Sequence, residues 1–168
     1  LAHLSELIAR MGGLAESQIE QTIQAFSQRD SALAQKVVDT DRQIDELESE
    51  IRDFAVSLVA LRQPMAQDLR TIVAAIRIVP DLERIGDLAV NVPEAGKRYL
   101  QHPPVKPLID IPRMGDIAQV MLRDALDAFV RRDLALAESV LLKDDELDAL
   151  KTQIFRELLT FMLQDPST

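Results

Sequence analysis

The sequence predicts an all-α protein of tandem three-helix bundles, the second bundle lacking its third helix in the chain given. Three observations predict this. Apolar residues recur at helical period through most of the 168 residues. Aromatics make up only 4% and glycines number 5, which favours an aliphatic helical core over a sheet sandwich. The sequence also repeats at a shift of 103 positions, Gly12 to Gly115. Ile8, Arg10 and Met11 recur as Ile111, Arg113 and Met114, and Ala25-Phe26 and Arg29-Asp30 recur as Ala128-Phe129 and Arg132-Asp133. Val37, Asp41, Asp45, Leu47 and Ile51 recur as Val140, Asp144, Asp148, Leu150 and Ile154. One unit is therefore helix–helix–helix, and the second copy runs out before its third helix.

Leu4, Leu7, Ile8, Met11, Leu14, Ile19, Ile23 and Phe26 place the first helix over residues 3–29. Gly12-Gly13 interrupts it, and such a pair marks a kink or a close helix crossing rather than a ligand loop. Asp30 and Ser31 can cap the next helix, which spans about 32–61 with Val37, Ile44, Leu47, Ile51, Ala55 and Leu58 inside. Gln63-Pro64 ends it, because a proline disfavours helix at the residue before it. The third helix covers about 65–100 and should kink at Pro80 and Pro93. Residues 101–112 hold four of the eight prolines and predict a stiff linker between a first bundle, 1–100, and the helix pair 113–168. The fourth helix spans about 113–131 and the fifth about 134–163, with Arg132-Asp133 as the cap between them.

Net charge is −9 with a pI near 4.7, so a nucleic-acid backbone is not an expected partner. The chain has no cysteine, which excludes disulfides, thiolate metal sites and cysteine nucleophiles and fits a reducing compartment. No apolar run approaches the roughly 18 residues of a membrane span, and no signal peptide is visible. Residue 1 is Leu, so the chain as given is read as a fragment or as missing its ends.

The chemistry concentrates in acids. Glu83, Asp87 and Asn91 stand four apart, which sets three oxygen-bearing side chains in a row on one helix face. The row extends a stripe of Leu69, Ile72, Ile76 and Val79, and carboxylates on a core-type face need a metal ion or basic side chains as partners. Alternatively, Pro80 rotates the helix, Leu82, Ile85 and Ala89 turn inward, and the acids are simply solvated. Asp41 and Asp45, with Glu48 nearly a turn on, form a second such pair that recurs as Asp144 and Asp148. Antiparallel packing of the second and third helices could bring Asp41 and Asp45 to Glu83 and Asp87. Four carboxylates together suit Mg²⁺, Mn²⁺, Ca²⁺ or iron. His3 and His102 do not follow a Glu by three, so the Glu-x-x-His pairs of ferritin-like di-iron bundles are missing. Both histidines read as surface residues. Arg70, Arg77, Arg84 and Arg98 fall on a seven-residue grid, read as a solvated face paired to local acids such as Asp81, or as an anion-binding stripe.

Met11-Gly12-Gly13-Leu14-Ala15-Glu16, Arg62-Gln63-Pro64-Met65-Ala66-Gln67-Asp68-Leu69-Arg70 and Asp81-Leu82-Glu83-Arg84-Ile85-Gly86-Asp87-Leu88-Ala89 resemble the PhoU family of phosphate-transport regulators. Asp124-Ala125-Leu126-Asp127-Ala128-Phe129 and Phe155-Arg156-Glu157-Leu158 are similar to the family's second half. The resemblance implies tandem three-helix bundles, a cytoplasmic location and metal clusters on acidic ExxxD/DxxxD motifs. Glu83, Asp87, Asp41 and Asp45 would serve the first cluster, and Asp144 and Asp148 half of the second, with iron, zinc, manganese or magnesium as the metal. It also implies a non-enzymatic negative regulator of phosphate uptake and of the phosphate-starvation response. Its expected partners are the phosphate ABC transporter's ATPase subunit and a sensor histidine kinase, with membrane association through those partners only. The alternatives are a carboxylate-bridged metalloenzyme and a purely structural helical module. The chain departs from the family in lacking a second Leu-Glu-Arg-Ile-Gly-Asp-type helix. The apolar faces of the fourth and fifth helices are therefore expected to be covered by a sixth helix or by a second copy, as in a homodimer.

Overall fold

The computed structural model describes residues 1–99 and 109–164, with side chains at 1–92 and 109–164. It contains five helices and no strand among the described residues: α1 (Ala2–Gln28), α2 (Ser31–Arg62), α3 (Ala66–Tyr99), α4 (Asp110–Arg131) and α5 (Leu134–Gln164). None of them is long and apolar enough to cross a membrane. The α1–α2 turn is built by Arg29 in the left-handed region, followed by Asp30, whose carboxylate accepts from the backbone N–H of Ala32 and Leu33. The repeat builds the same turn at Arg132-Asp133, with the same φ of 56° at both arginines. There the Asp133 carboxylate accepts from the Leu136 N–H. An Asp N-cap of this kind stabilises a helix start by about 1 kcal/mol.

Helices α1, α2 and α3 pack on one another around Leu4, Ile8, Met11, Ile44, Ile51 and Ile72, all essentially inaccessible to solvent. Helix α4 packs against α1, and α5 packs against α4. Leu122 joins the core of the first three helices, with Leu126 and Phe129 against its edge. The α1–α4 crossing explains the paired glycines. A Cβ at Gly12 would run into the end of Leu126, and a Cβ at Gly115 would lie 2.5 Å from Ile23 Cγ1. Gly12-Gly13 thus marks a close crossing, one of the two readings of that pair. Glu16 sits across the same seam, paired with Arg123, and its carbonyl accepts from Gln119 Nε2 at 3.3 Å.

Three expectations change. First, α3 runs unbroken through Pro80 and Pro93 to Tyr99. Pro80 lies on the exposed side, so the carbonyl it cannot bond faces water, and the buried stripe on both sides offsets a cost of about 3 kcal/mol. Second, that stripe is Ile72, Ala75, Val79, Leu82, Gly86 and Ala89, while Leu69 and Ile76 face outward. Leu82 and Ala89 are inner residues without any rotation at Pro80, because the stripe keeps one period throughout. Third, α4 starts at Asp110, so Pro112 belongs to its first turn and not to the linker. Proline is tolerated there because the first-turn N–H groups have no helical partner. The rest of the predicted linker, 101–108, with Leu100 and His102, lies outside the described residues.

Candidate functional site

Asp41 and Asp45 flank the buried stripe of α2, beside Val37, Ile44 and Leu47. Glu83 and Asp87 flank the buried stripe of α3, beside Leu82 and Gly86. A short turn joins the two helices, so they run antiparallel, and this sets the four acids along one seam. Asp41 and Glu83 are half-buried, and Asp45 and Asp87 are exposed. Their charges act on one another. Burial first, and then Asp41, Asp87 and Glu48, raises the Asp45 carboxyl above its ordinary value. Burial first, and then Asp87, Glu48, Asp45 and Asp41, raises Glu83 likewise. Glu48 therefore belongs to the same field, although it also pairs with Arg52 one turn on. Among the described residues no lysine or arginine forms an ion pair with Asp41, Asp45, Glu83 or Asp87.

Two residues that sequence reasoning passed over complete the seam. Gln18 of α1 is fully buried, and its Nε2 donates to the Val37 carbonyl at 3.1 Å and to Asp41 Oδ1 at 3.0 Å. Its Oε1 is buried with no hydrogen-bond partner. Gly86 of α3 is the gap opposite. A Cβ there would lie 2.9 Å from Asp41 Oδ1, 3.0 Å from Gln18 Oε1 and 3.2 Å from Ile44 Cδ1. A signal for Gln18 did exist: it follows Met11 and Ala15 on the core face of α1, where a polar side chain needs a partner.

The donor set is one of hard oxygen ligands carrying uncompensated negative charge, which suits a hard cation. Among the described residues no three Asp, Glu, His or Cys side chains stand close enough to hold one ion as they are oriented. The seam therefore offers hard donors and charge, and as oriented it does not form a coordination sphere. Asp144 and Asp148 join no group of three potential ligands able to hold an ion among the described residues. Both are exposed on α5, which among the described residues packs only on α4, and Asp148 lies 3.7 Å from Lys151. His3 lies on the surface, 3.4 Å from Glu6, with its ring edge-on to Phe54. Arg70, Arg77 and Arg84 are exposed and, among the described residues, pair with no acid, which differs from the pairing expected. In water such pairs gain little. The Arg98 side chain lies outside the described residues. An apolar groove of about 700 Å³ between α3, α4 and α5 is lined by residues including Thr71, Phe129 and Leu141, and none of the seam's acids lines it.

The PhoU domain model matches residues 8–95 and 111–168. A Caulobacter vibrioides protein named phosphate-specific transport system accessory protein PhoU homolog is 49% identical over all of this chain and 74% of its own length. The Rhizobium meliloti protein of the same name is 41% identical over 99% of this chain and 70% of its own. The crystal structure of PhoU from Pseudomonas aeruginosa superposes with a TM-score of 0.92 at 37% identity, covering 99% of this chain and 80% of that one. The phosphate transport system regulatory protein PhoU from Streptococcus pneumoniae gives 0.87 at 25% identity, covering 98% and 77%.

Proposed function

Because this chain belongs to the PhoU family, we propose that it works as an accessory protein of a phosphate-specific transport system. The observation that carries the reading is the family match across both helical units, at 49% identity to a protein of that name. The relatives' names describe an accessory and a regulatory protein, which supports this reading over the carboxylate-bridged metalloenzyme alternative. In this reading the protein is a negative regulator of phosphate uptake and of the phosphate-starvation response. It links the transporter's ATPase subunit to a sensor histidine kinase, in the cytoplasm, and meets the membrane only through them. A pull-down of both purified partners on the immobilised chain tests this. Retention of both supports the adaptor role, and retention of neither sinks it.

The acidic seam is the reading's metal site. Asp41, Asp45, Glu83 and Asp87 would hold the cation, with Glu48 beside them. A bound cation supplies positive charge that lets α2 and α3 keep like-charged carboxylates together. Without it, the helices hold those acids together at the cost that raises Asp45 and Glu83. Metal analysis of protein purified without chelator is the test. Asp87→Ala and Glu83→Ala should each lower the metal content and leave the thermal midpoint little changed, since losing one of several like charges also relieves repulsion. Unchanged metal content in both variants would make the row a solvated face.

A further inference from the structure

Helix α3 carries apolar residues on two faces, and the core of the first bundle uses one of them. Ile72, Ala75, Val79 and Leu82 are buried, whereas Leu69, Val73 and Ile76 stand exposed. Steps of four and three set those three in one row, and the exposed Met65, four residues before Leu69, extends it at the start of the helix. Arg70, Arg77 and Arg84 run beside the row at steps of seven, about 10 Å apart along the axis. All three are exposed and, among the described residues, pair with no acid. On a chain of net charge −9, three unpaired arginines in a line gather the minority charge on one face. The face also has relief. Arg70, Val73, Ala74 and Arg77, with Leu69 beside them, line a depression of about 360 Å³. The first four stand at i, i+3, i+4 and i+7, the outline of the hole that one helix offers to a side chain of another in knobs-into-holes packing.

We propose that this face docks a helix of another protein, an amphipathic segment whose apolar row meets Leu69, Val73 and Ile76 and whose flanking carboxylates meet Arg70, Arg77 and Arg84. The hole selects a helix: Val73 and Ala74 give it apolar walls, and Arg70 and Arg77 close it at its two ends along the axis. The unpaired arginines select the sign of the partner's flank. A side chain seated in the hole brings the neighbouring carboxylates against the guanidinium groups where the contact excludes water. There a charge-assisted, bidentate pair gains more than the same pair in open solvent. A partner helix of about four turns, roughly 22 Å, spans the distance from Leu69 to Arg84. An anionic bilayer fits less well, because Glu83 and Asp87 continue the aliphatic row toward the far end of α3 and would meet it as like charges. The docking face is defined by its own residues and depends neither on the metal reading of the seam nor on the partners named above.

The test uses the full chain and two designed three-heptad peptides. Both carry leucine at every a and d position; one carries glutamate at e and g, the other lysine, and like charges there keep each peptide from pairing with itself. Titrated into isotope-labelled protein, the glutamate peptide should shift the backbone NMR resonances of Leu69, Val73, Ala74 and Arg77, and the lysine peptide should not. The double variant Arg70→Glu/Arg77→Glu should weaken the glutamate peptide about tenfold and strengthen the lysine peptide. Such an exchange of preference cannot come from misfolding. Val73→Asp, at an exposed position, should abolish binding of the glutamate peptide and keep a thermal midpoint close to that of the starting protein. Arg10→Glu makes the same charge change as each arginine reversal, at an exposed position of α1, and should leave binding unchanged. Equal binding of the two peptides, binding of neither, or shifts confined to α4 and α5 overturns the docking face. Phosphatidylglycerol vesicles that bind the starting protein but not Val73→Asp would give the face to a membrane instead. Self-association that Val73→Asp abolishes in sedimentation would give it to a second copy. Either result overturns the partner helix.

Discussion

Asp45 and Glu83 are acids that the fold makes harder to ionise, by burial first and then by their acidic neighbours. Their ordinary values are 3.8 and 4.5, and both are raised. The folded chain thus holds these protons more tightly than the unfolded chain does. Between the ordinary and the raised values stability falls as pH rises, and above the raised values the loss is complete. In chelator-treated protein, Asp45→Asn should therefore raise the thermal midpoint at pH 7. The gain should disappear as pH falls below 3.8. Thermal melts of both proteins across that range check it, and a gain that persists at the acid end would contradict it. Gly86 is the second residue whose surroundings set a prediction. Alanine there gains about 1 kcal/mol of helix propensity, but its Cβ meets the Asp41 and Gln18 oxygens and Ile44. Overpacking costs about 1–3 kcal/mol, so Gly86→Ala should lower stability by about 1 kcal/mol in denaturant melts.

At the level of helices, the α1–α4 crossing keeps the symmetry of the repeat. Gly12 faces Leu126, and Gly115 faces Ile23; a shift of 103 positions turns each pair into the other. The two helices meet as related copies, each offering one glycine to the other's aliphatic side chain. Gly13 faces open space, with nothing within 4 Å of a built Cβ. Three alanine substitutions in almost identical sequence surroundings should therefore diverge. Gly13→Ala should stabilise by about 0.5–1 kcal/mol through helix propensity alone. Gly12→Ala should destabilise, because the Leu126 side chain has to move. Gly115→Ala should cost more, because the obstructing Ile23 is β-branched and stiff near its backbone. Urea melts of the three variants check the order. Equal effects at Gly12 and Gly13 would mean that the crossing is looser than described.

Across the whole molecule, burial is uneven. Helices α1 and α2 bury an unbroken stripe, whereas α5 buries only Leu150 among its described side chains. Leu134, Leu141, Leu142, Phe155 and Met162 stand more than half exposed on it. A face of that size on a free chain favours association. The chain as given should self-associate through α4 and α5 at micromolar concentration, with weak salt dependence because the contact is apolar. Sedimentation velocity tests this, and a strictly monomeric chain across the concentration range would refute it. Leu158→Glu, a half-buried position on α5, should shift the distribution toward monomer if that face is the contact.

Helical period, the repeat and the turn chemistry at Arg29-Asp30 and Arg132-Asp133 are local properties, and they determined the five helices and their ends to within a few residues. The pairs Asp41/Asp45 and Glu83/Asp87 were legible for the same reason, since a spacing of four defines a helix face without reference to a neighbour. Which face turns inward depends on the neighbour. Spacing put Leu69 and Ile76 on the core stripe and admitted Leu82 only through a rotation at Pro80, whereas packing against α1 and α2 buries Ala75 and Leu82 and leaves Leu69 and Ile76 outside. The junction of Gln18, Asp41 and Gly86 joins residues 23 and 45 positions apart, and no pattern along one helix reports such a meeting. Asp144 and Asp148 mark the same limit. Their sequence pattern repeats that of Asp41 and Asp45, but the electrostatic field of the seam arises from a second helix laid across the first, and that is a property of tertiary structure.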